Sequence, residues 1–355
     1  MDGIDTVLIE LEGKYSKVLG KLEKKYPEEL RCQLINISQD WENTNIDQLG
    51  QMDHWVGEVF RDAVLELIKE CKVSAKDIIA IGSHGQTIRH QPHAIKPYSM
   101  QIGDPNVIAS GTGITTVSDF RRKDIAAGGE GAPLTPIFHH ALFYENKINR
   151  IVINIGGITN LTILNGNLNN TFGFDSGPGN TLMDKWIQEN LKKSYDVRGD
   201  WASQGITNKE LLGELLADPY FELPSPKSTG FEYFNIKWLR QYLSKKEIKS
   251  VDVQRTLISL TVESIYRAIK QSNIDIHEII FCGGGINNDF LMNKIRKRLK
   301  NFKISITDDY GIDADFLEAA AFAFLAKQTL SKKTGNLPKV TGAKQKEILG
   351  GIYLA

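Results

Sequence analysis

Asp175 has the setting in this chain that most invites chemistry. It follows Phe172-Gly173-Phe174 and opens into Ser176-Gly177-Pro178-Gly179-Asn180. A carboxylate at a strand end, giving way to a glycine loop, stands at the rim of a sheet, where α/β proteins hold ligands. There it can act as a general base. It can equally be a turn or capping aspartate, a role that suits the residue type. Asp184 falls on the helix expected from Thr181 and reads as a capping, surface or supporting carboxylate.

Glycine turns supply a second kind of chemistry. Ile151–Ile155 runs into Gly156-Gly157, Glu278–Cys282 into Gly283-Gly284-Gly285, and Ile79–Ile81 into Gly82-Ser83-His84-Gly85. Each reads as a strand ending in a tight turn. Glycine lets backbone N–H groups approach a phosphate without obstruction by a Cβ. A helix that follows adds partial positive charge. After Gly283–Gly285 come the capping candidates Asn287, Asn288 and Asp289, then a helical period from Phe290 to Leu299 with basic residues late. After Gly156-Gly157, Ile158 to Leu164 reads as a returning strand, so this turn belongs to a hairpin, with Thr159 and Asn160 as hydrogen-bonding residues. Purely structural turns have the same signature. Neither the Gly-Lys-Ser/Thr phosphate loop nor the dinucleotide glycine fingerprint is present, so a nucleotide site here is of another type.

The run Ser118-Asp119-Phe120-Arg121-Arg122-Lys123-Asp124 precedes Gly128-Gly129. Its arginines can clamp a carboxylate or phosphate, or form a solvated charged loop. His84, His90 and His93 are not spaced as metal ligands on one helix face, and no metal site is expected. His84, between glycines at a strand end, can touch a ligand or simply occupy a turn.

The elements that must position these residues alternate. Trp55–Cys71 and Val253–Ile269 show apolar stripes of helical period, and Asp315–Leu330 is an alanine-rich helix. Thr6–Glu12 and Lys14–Leu19 alternate like an antiparallel hairpin. Strands alternating with helices predict an α/β architecture, with a boundary near Pro133–Pro136 and loops over 223–230 and 331–342. The chain has 355 residues, and its 43 basic side chains balance 43 acidic ones. That balance gives no footprint for nucleic acid or an anionic membrane. No apolar run approaches the roughly 18–20 residues of a membrane span. The N-terminus lacks the basic and apolar regions of a signal peptide. Three scattered cysteines, Cys32, Cys71 and Cys282, predict no disulfide framework and fit a reducing cytoplasm.

With these residues assembled, the sequence resembles the anhydro-N-acetylmuramic acid kinases over nearly its whole length. The matching segments include GSHGQTIRHQP (82–92), QIGDPNVIA (101–109), SDFRRKDIAAGG (118–129), NIGGITNLT (154–162), FDSGPGNTLMD (174–184), PKSTG (226–230) and FCGGGINND (281–289). The resemblance implies a two-domain α/β fold of the sugar kinase/actin-like (ribonuclease H-like) class around a central cleft. It places the sugar-side domain at residues 1–135 with the tail 340–355, and the nucleotide- and base-bearing domain at 136–339. It implies ATP and Mg²⁺, a sugar substrate, a cytoplasmic homodimer, and a role in peptidoglycan recycling. In the family's reaction water opens the 1,6-anhydro ring at C1, and the released O6 takes the γ-phosphoryl group. By the same resemblance Asp175 is the base, and Asp2, His84, Asp119 and Arg121 bind the sugar. Gly3, Asn154, Gly156, Gly157, Thr159, Asn160, Gly177, Gly179, Asn180, Gly283, Gly284, Gly285 and Asn287 bind the nucleotide.

Three departures from the family pattern stand out. The family opens with a strand and a glycine-threonine-serine phosphate loop; here the chain starts at Met1-Asp2-Gly3. A sheet lacking that strand is expected to leave backbone groups unpaired and a core face open, with weak or no turnover. The alternative reading is therefore a catalytically impaired nucleotide- or sugar-binding relative. Glu130 stands where glutamine is expected, and Phe231 where arginine is.

Overall fold

The structure is a computed structural model that describes residues 3–12, 15–39, 44–225, 227–244 and 246–355. The chain forms two compact units, one of Met1–Leu142 with Gly311–Ala355, the other of Phe143–Tyr310. Segments 136–142 and 311–339, placed in the second domain by the sequence reading, thus lie in the first unit. Aromatic packing accounts for this. Phe322, on the helix Leu317–Leu330, meets His84 and Phe120 at 4.4 and 5.4 Å between ring centroids, and Phe138 meets Phe324 at 5.4 Å.

The first unit opens with a hairpin of β1 (Gly3–Glu12) and β2 (Tyr15–Lys25), longer than the alternation alone predicts, with a register shift at Leu8/Ile9. Strand β3 is only Ile81–Gly82; β4 (Gln86–Gln91) and β5 (Tyr98–Ile102) make a second hairpin; β6 is Thr116–Ser118. The helix Ile46–Glu70 buries Met52, Val56, Val59, Ala63 and Leu67; of the stripe expected from its periodicity (Val56, Val59, Phe60, Val64, Leu65 and Ile68), Val56 and Val59 are buried, Phe60, Val64 and Ile68 are half-buried, and Leu65 is exposed.

The second unit is built on one mixed sheet. Strands β7 (Arg150–Ile155), β8 (Ile158–Leu164) and β9 (Phe172–Pro178) form an antiparallel meander, and β10 (Glu278–Cys282) and β11 (Lys303–Ile306) add in parallel, giving the order β11-β10-β7-β8-β9. That is the ribonuclease H-like order. β10 is buried along its whole length and β7 at every position but Asn154, which is why both read as near-continuous apolar runs. The helix Ser250–Gln271 buries Val253, Leu257, Leu260, Ile265 and Ile269.

An ion pair joins the bases of β7 and β10. Arg150 Nε lies 2.7 Å from Glu278 Oε2, and its Nη1 donates to the Phe143 carbonyl at 2.6 Å. Glu278 also accepts from Ser305, Tyr310 and Lys303 at 2.7, 2.8 and 2.9 Å. Burial alone would raise this carboxyl. Its hydrogen-bond donors outweigh burial and hold it at about 2.

Back in the first unit, β12 (Gly351–Tyr353) pairs antiparallel with β6, and β6 pairs in parallel with β3. Among the described residues β1 pairs only with β2, and β3 only with β6. Between β1 and the run 77–87 lies a cavity of about 1180 Å³. Val64 and Ile68 border it from one helix and Phe322 and Ala326 from another. Ile79, expected in a strand, is instead 87% exposed.

Candidate active site

In the second unit three glycine segments meet, Gly156-Gly157, Gly177–Gly179 and Gly283–Gly285. β7 and β10 are parallel neighbours with Asn154 opposite Cys282, so Gly156-Gly157 and Gly283–Gly285 emerge side by side from their C-terminal ends. Asn154 sits between them: a Cβ on Gly283 would lie 2.0 Å from its Oδ1. The Gly177–Gly179 segment closes on the hairpin turn. Gly179 N–H donates to Gly157 O at 2.9 Å and Asn180 N–H to Gly156 O at 2.8 Å, while Asn180 Nδ2 reaches Ile155 O. A Cβ on Gly179 would fall 2.3 Å from Gly156 O, so this approach requires glycine. Gly177 has φ +143°, and a Cβ there would meet the Phe221 ring at 2.8 Å. The Thr159 side chain is fully buried and its hydroxyl has no partner among the described residues, although it would lie 2.9 Å from that Gly179 Cβ. An unpaired hydroxyl beside bare backbone turns suits phosphate oxygens.

The last turn leads into a helix. Gly284 is exposed with open space at its Cα, and Asn287 is exposed. Asn288, one of the three expected caps, accepts from Leu291 N–H at 3.0 Å and starts the helix Asp289–Arg298, whose last turn carries Arg296, Lys297 and Arg298. This places a positive helix end next to the turn and the basic side chains away from it.

Asp175 lies on β9 opposite Asn160, beside a bulge at Ser176 that re-aims the strand. The loop after residue 223 was expected to be simply exposed. Its latter half packs against Asp175 instead. Asp175 N–H donates to Lys227 O at 2.9 Å, and Asp175 Oδ2 accepts from Thr229 N–H at 2.9 Å and Ser228 Oγ at 3.2 Å. Tyr220 Oη donates to Asp175 O at 2.7 Å. Asp175 is therefore held at its amide, its carbonyl and one carboxylate oxygen, neither as a helix cap nor as a plain turn residue. Asp184 lies on the helix Asn180–Leu191.

The first unit carries the other expected set. Arg121 Nε donates to His84 Nε2 at 2.9 Å, and its Nη1 to Gly131 O at 2.9 Å. Burial, then the neighbouring guanidinium, pushes His84 down to about 3, so it accepts as neutral imidazole. Asp119 takes a left-handed φ of +62° and pairs with Arg122 at 2.7 Å, not with Arg121. Gly3 begins β1 opposite Lys25, and Asp2 lies outside the described residues. Glu130 stands 3.6 Å from His93, and Phe231 is 74% exposed.

Sequence reasoning missed Asp124. It is fully buried and accepts from Gly131 N–H, Asn336 Nδ2 and Thr341 Oγ1 at 2.8, 2.7 and 2.7 Å, fixing the loop whose carbonyl holds Arg121. Within a run of charges nothing separates it from its solvated neighbours. Asp218, Tyr220 and Lys227 were also missed, because their link to Asp175 spans about fifty residues of sequence.

A family model described as anhydro-N-acetylmuramic acid kinase matches residues 1–355. The anhydro-N-acetylmuramic acid kinase of Coxiella burnetii (strain RSA 493 / Nine Mile phase I) is 48% identical over 354 residues, 99% of this chain and 94% of the relative. Its counterpart in Photobacterium profundum is 44% identical over 362 residues, 100% and 96% of the two chains. That of Pasteurella multocida is 44% identical over 356 residues, 99% and 94%.

Proposed function

The chain belongs to the anhydro-N-acetylmuramic acid kinase family, and from that premise we propose how its residues divide the reaction. The activity is ATP-dependent phosphorylation of 1,6-anhydro-N-acetylmuramic acid, a step of peptidoglycan recycling. The observation that supports the division is the bracing of Asp175 beside the glycine turns of the second unit.

A water attacks C1 while Asp175 takes its proton. The C1–O6 bond breaks, and the electron pair stays on O6. O6 then bonds to the γ-phosphorus of ATP, ADP leaves, and the product is the 6-phosphate. A braced base has its orientation fixed before the substrate arrives, which lowers the entropic cost of the step. Transfer itself depends on positioning and charge neutralisation. The turns at Gly156-Gly157, Gly179-Asn180 and Gly283–Gly285 supply backbone donors, and Thr159 a hydroxyl. ATP enters as its magnesium complex, in which Mg²⁺ offsets phosphate charge. The described residues show no group of three or more histidine, cysteine or acidic side chains placed for a metal. An ion held mainly through phosphate oxygens and water needs none.

In this reading the first unit is the sugar-side domain. Arg121, oriented by neutral His84 and by Gly131, directs its remaining nitrogen, Nη2, to the lactyl carboxylate, and the second unit carries nucleotide and base. A cytoplasmic location is supported by the three unpaired cysteines. No described helix is long and apolar enough to cross a membrane. A homodimer rests on the resemblance alone.

Turnover in ¹⁸O-labelled water tests the reaction course. The label is expected on C1 of the product sugar and not in its phosphoryl group. Label in the phosphoryl group, or none on the sugar, would overturn ring opening by water.

A further inference from the structure

We propose that Asp218 is a positioning residue for the Asp175 carboxylate, acting through Tyr220 and Lys227; this rests on the reading of Asp175 as the base. Asp218 is only 5% exposed. It accepts four hydrogen bonds, from Tyr233 Oη at 2.7 Å, Trp238 Nε1 at 2.8 Å, Tyr220 N–H at 2.9 Å and Tyr242 Oη at 3.1 Å. All four donors are neutral. Burial tends to raise this carboxyl, but the donors outweigh it and keep it below the usual carboxylate range. A buried charge with every donor satisfied fixes geometry firmly, because any movement strands it unpaired.

Tyr220 converts that fixed point into a bracket. Asp218 caps the short 3₁₀ turn Pro219–Glu222 through the Tyr220 amide. The Tyr220 ring is wedged against Phe221, Phe234 and Tyr233, with centroids 5.2–5.9 Å away. From there its hydroxyl reaches Asp175 O. The Tyr220 and Phe221 carbonyls accept from Lys227 Nζ at 3.0 and 3.3 Å, and that ammonium lies 4.7 Å from the Tyr220 ring centre. Lys227 in turn presents its carbonyl to Asp175 N–H, and the next two residues hold Oδ2. The hydrogen bonds that Tyr220, Lys227, Ser228 and Thr229 make with Asp175 thus all pass through Tyr220 or the loop that Tyr220 anchors. A carboxylate kept only to stabilise the aromatic cluster would not need that hydroxyl.

The test compares Asp218→Asn, Tyr220→Phe and Asp175→Asn in the full chain. Tyr220→Phe keeps the ring and deletes only the hydroxyl, so it remains informative if Asp218→Asn folds poorly. Both positioning variants are expected to lower kcat about tenfold, with both KM values and ATP affinity within about twofold. They are also expected to raise the solvent deuterium isotope effect on kcat, because proton transfer from water becomes slower; a purely structural role would not move it. Unchanged kcat and isotope effect in folded Tyr220→Phe, with Asp175→Asn inactive, would overturn this inference alone. Full turnover in Asp175→Asn would overturn the assignment of the base beneath it.

Discussion

Replacing Glu278 by glutamine is expected to destabilise the second unit by about 3 kcal/mol at pH 7. The carboxylate is 2% exposed and held at about 2, against an ordinary value of 4.5. At 1.36 kcal/mol per pH unit, that difference of roughly 2.5 units corresponds to about 3 kcal/mol. Breaking a buried pair by removing one charge costs a similar 3–5 kcal/mol. Because the folded value lies below the unfolded one, this stability is present above pH 4.5 and is lost as pH falls toward 2. At pH 3.5 about 2 kcal/mol remains, so the gap between parent and variant narrows by about 1 kcal/mol. Urea unfolding of both proteins at pH 7 and pH 3.5 measures this directly. A gap that stays constant or widens on acidification would refute the reasoning. The effect extends to the site: Glu278 and Arg150 staple the bases of β10 and β7, whose opposite ends carry the glycine turns. Turnover is therefore expected to fall with stability in this variant.

Two further outcomes follow from backbone geometry. Gly179→Ala would place a Cβ 2.3 Å from Gly156 O, forcing the turns apart, and should weaken ATP binding at least tenfold by calorimetry. The comparison is Gly213→Ala on an exposed helix position with open space, which should leave ATP binding unchanged and add up to about 1 kcal/mol of stability. An apolar strand of about five or six residues fused ahead of Gly3 should raise the thermal midpoint, because the outer edge of β1 borders the 1180 Å³ cavity without a partner among the described residues. An unchanged midpoint would contradict that reading of the cavity.

Local signals in the sequence carried much of the second unit. Ile158–Leu164 reads as a returning strand because Gly156-Gly157 offers a tight turn, and β8 has those bounds. The capping choice among Asn287, Asn288 and Asp289 needed coordinates, since all three residue types cap well. Non-local contacts were not legible. Asp119 and Arg121 read as one charged cluster, yet their side chains separate, one to Arg122 and the other to His84. The helix Leu317–Leu330, expected within a second domain of 136–339, packs in the first unit, because its alanine-rich pattern does not reveal that Phe322 meets His84 and Phe120. The bracket around Asp175 comes from residues distant in sequence whose types, Tyr and Lys, have no special signature alone.

The most direct test of Asp175 as the base is Asp175→Asn, assayed with ATP, Mg²⁺ and 1,6-anhydro-N-acetylmuramic acid beside the parent chain. The amide can still accept from Thr229 N–H and Ser228 Oγ, so the fold and ATP binding are expected to persist. Removing a general base should lower kcat by about 10³-fold. Turnover within tenfold of the parent, in a variant that still binds ATP, would contradict the account.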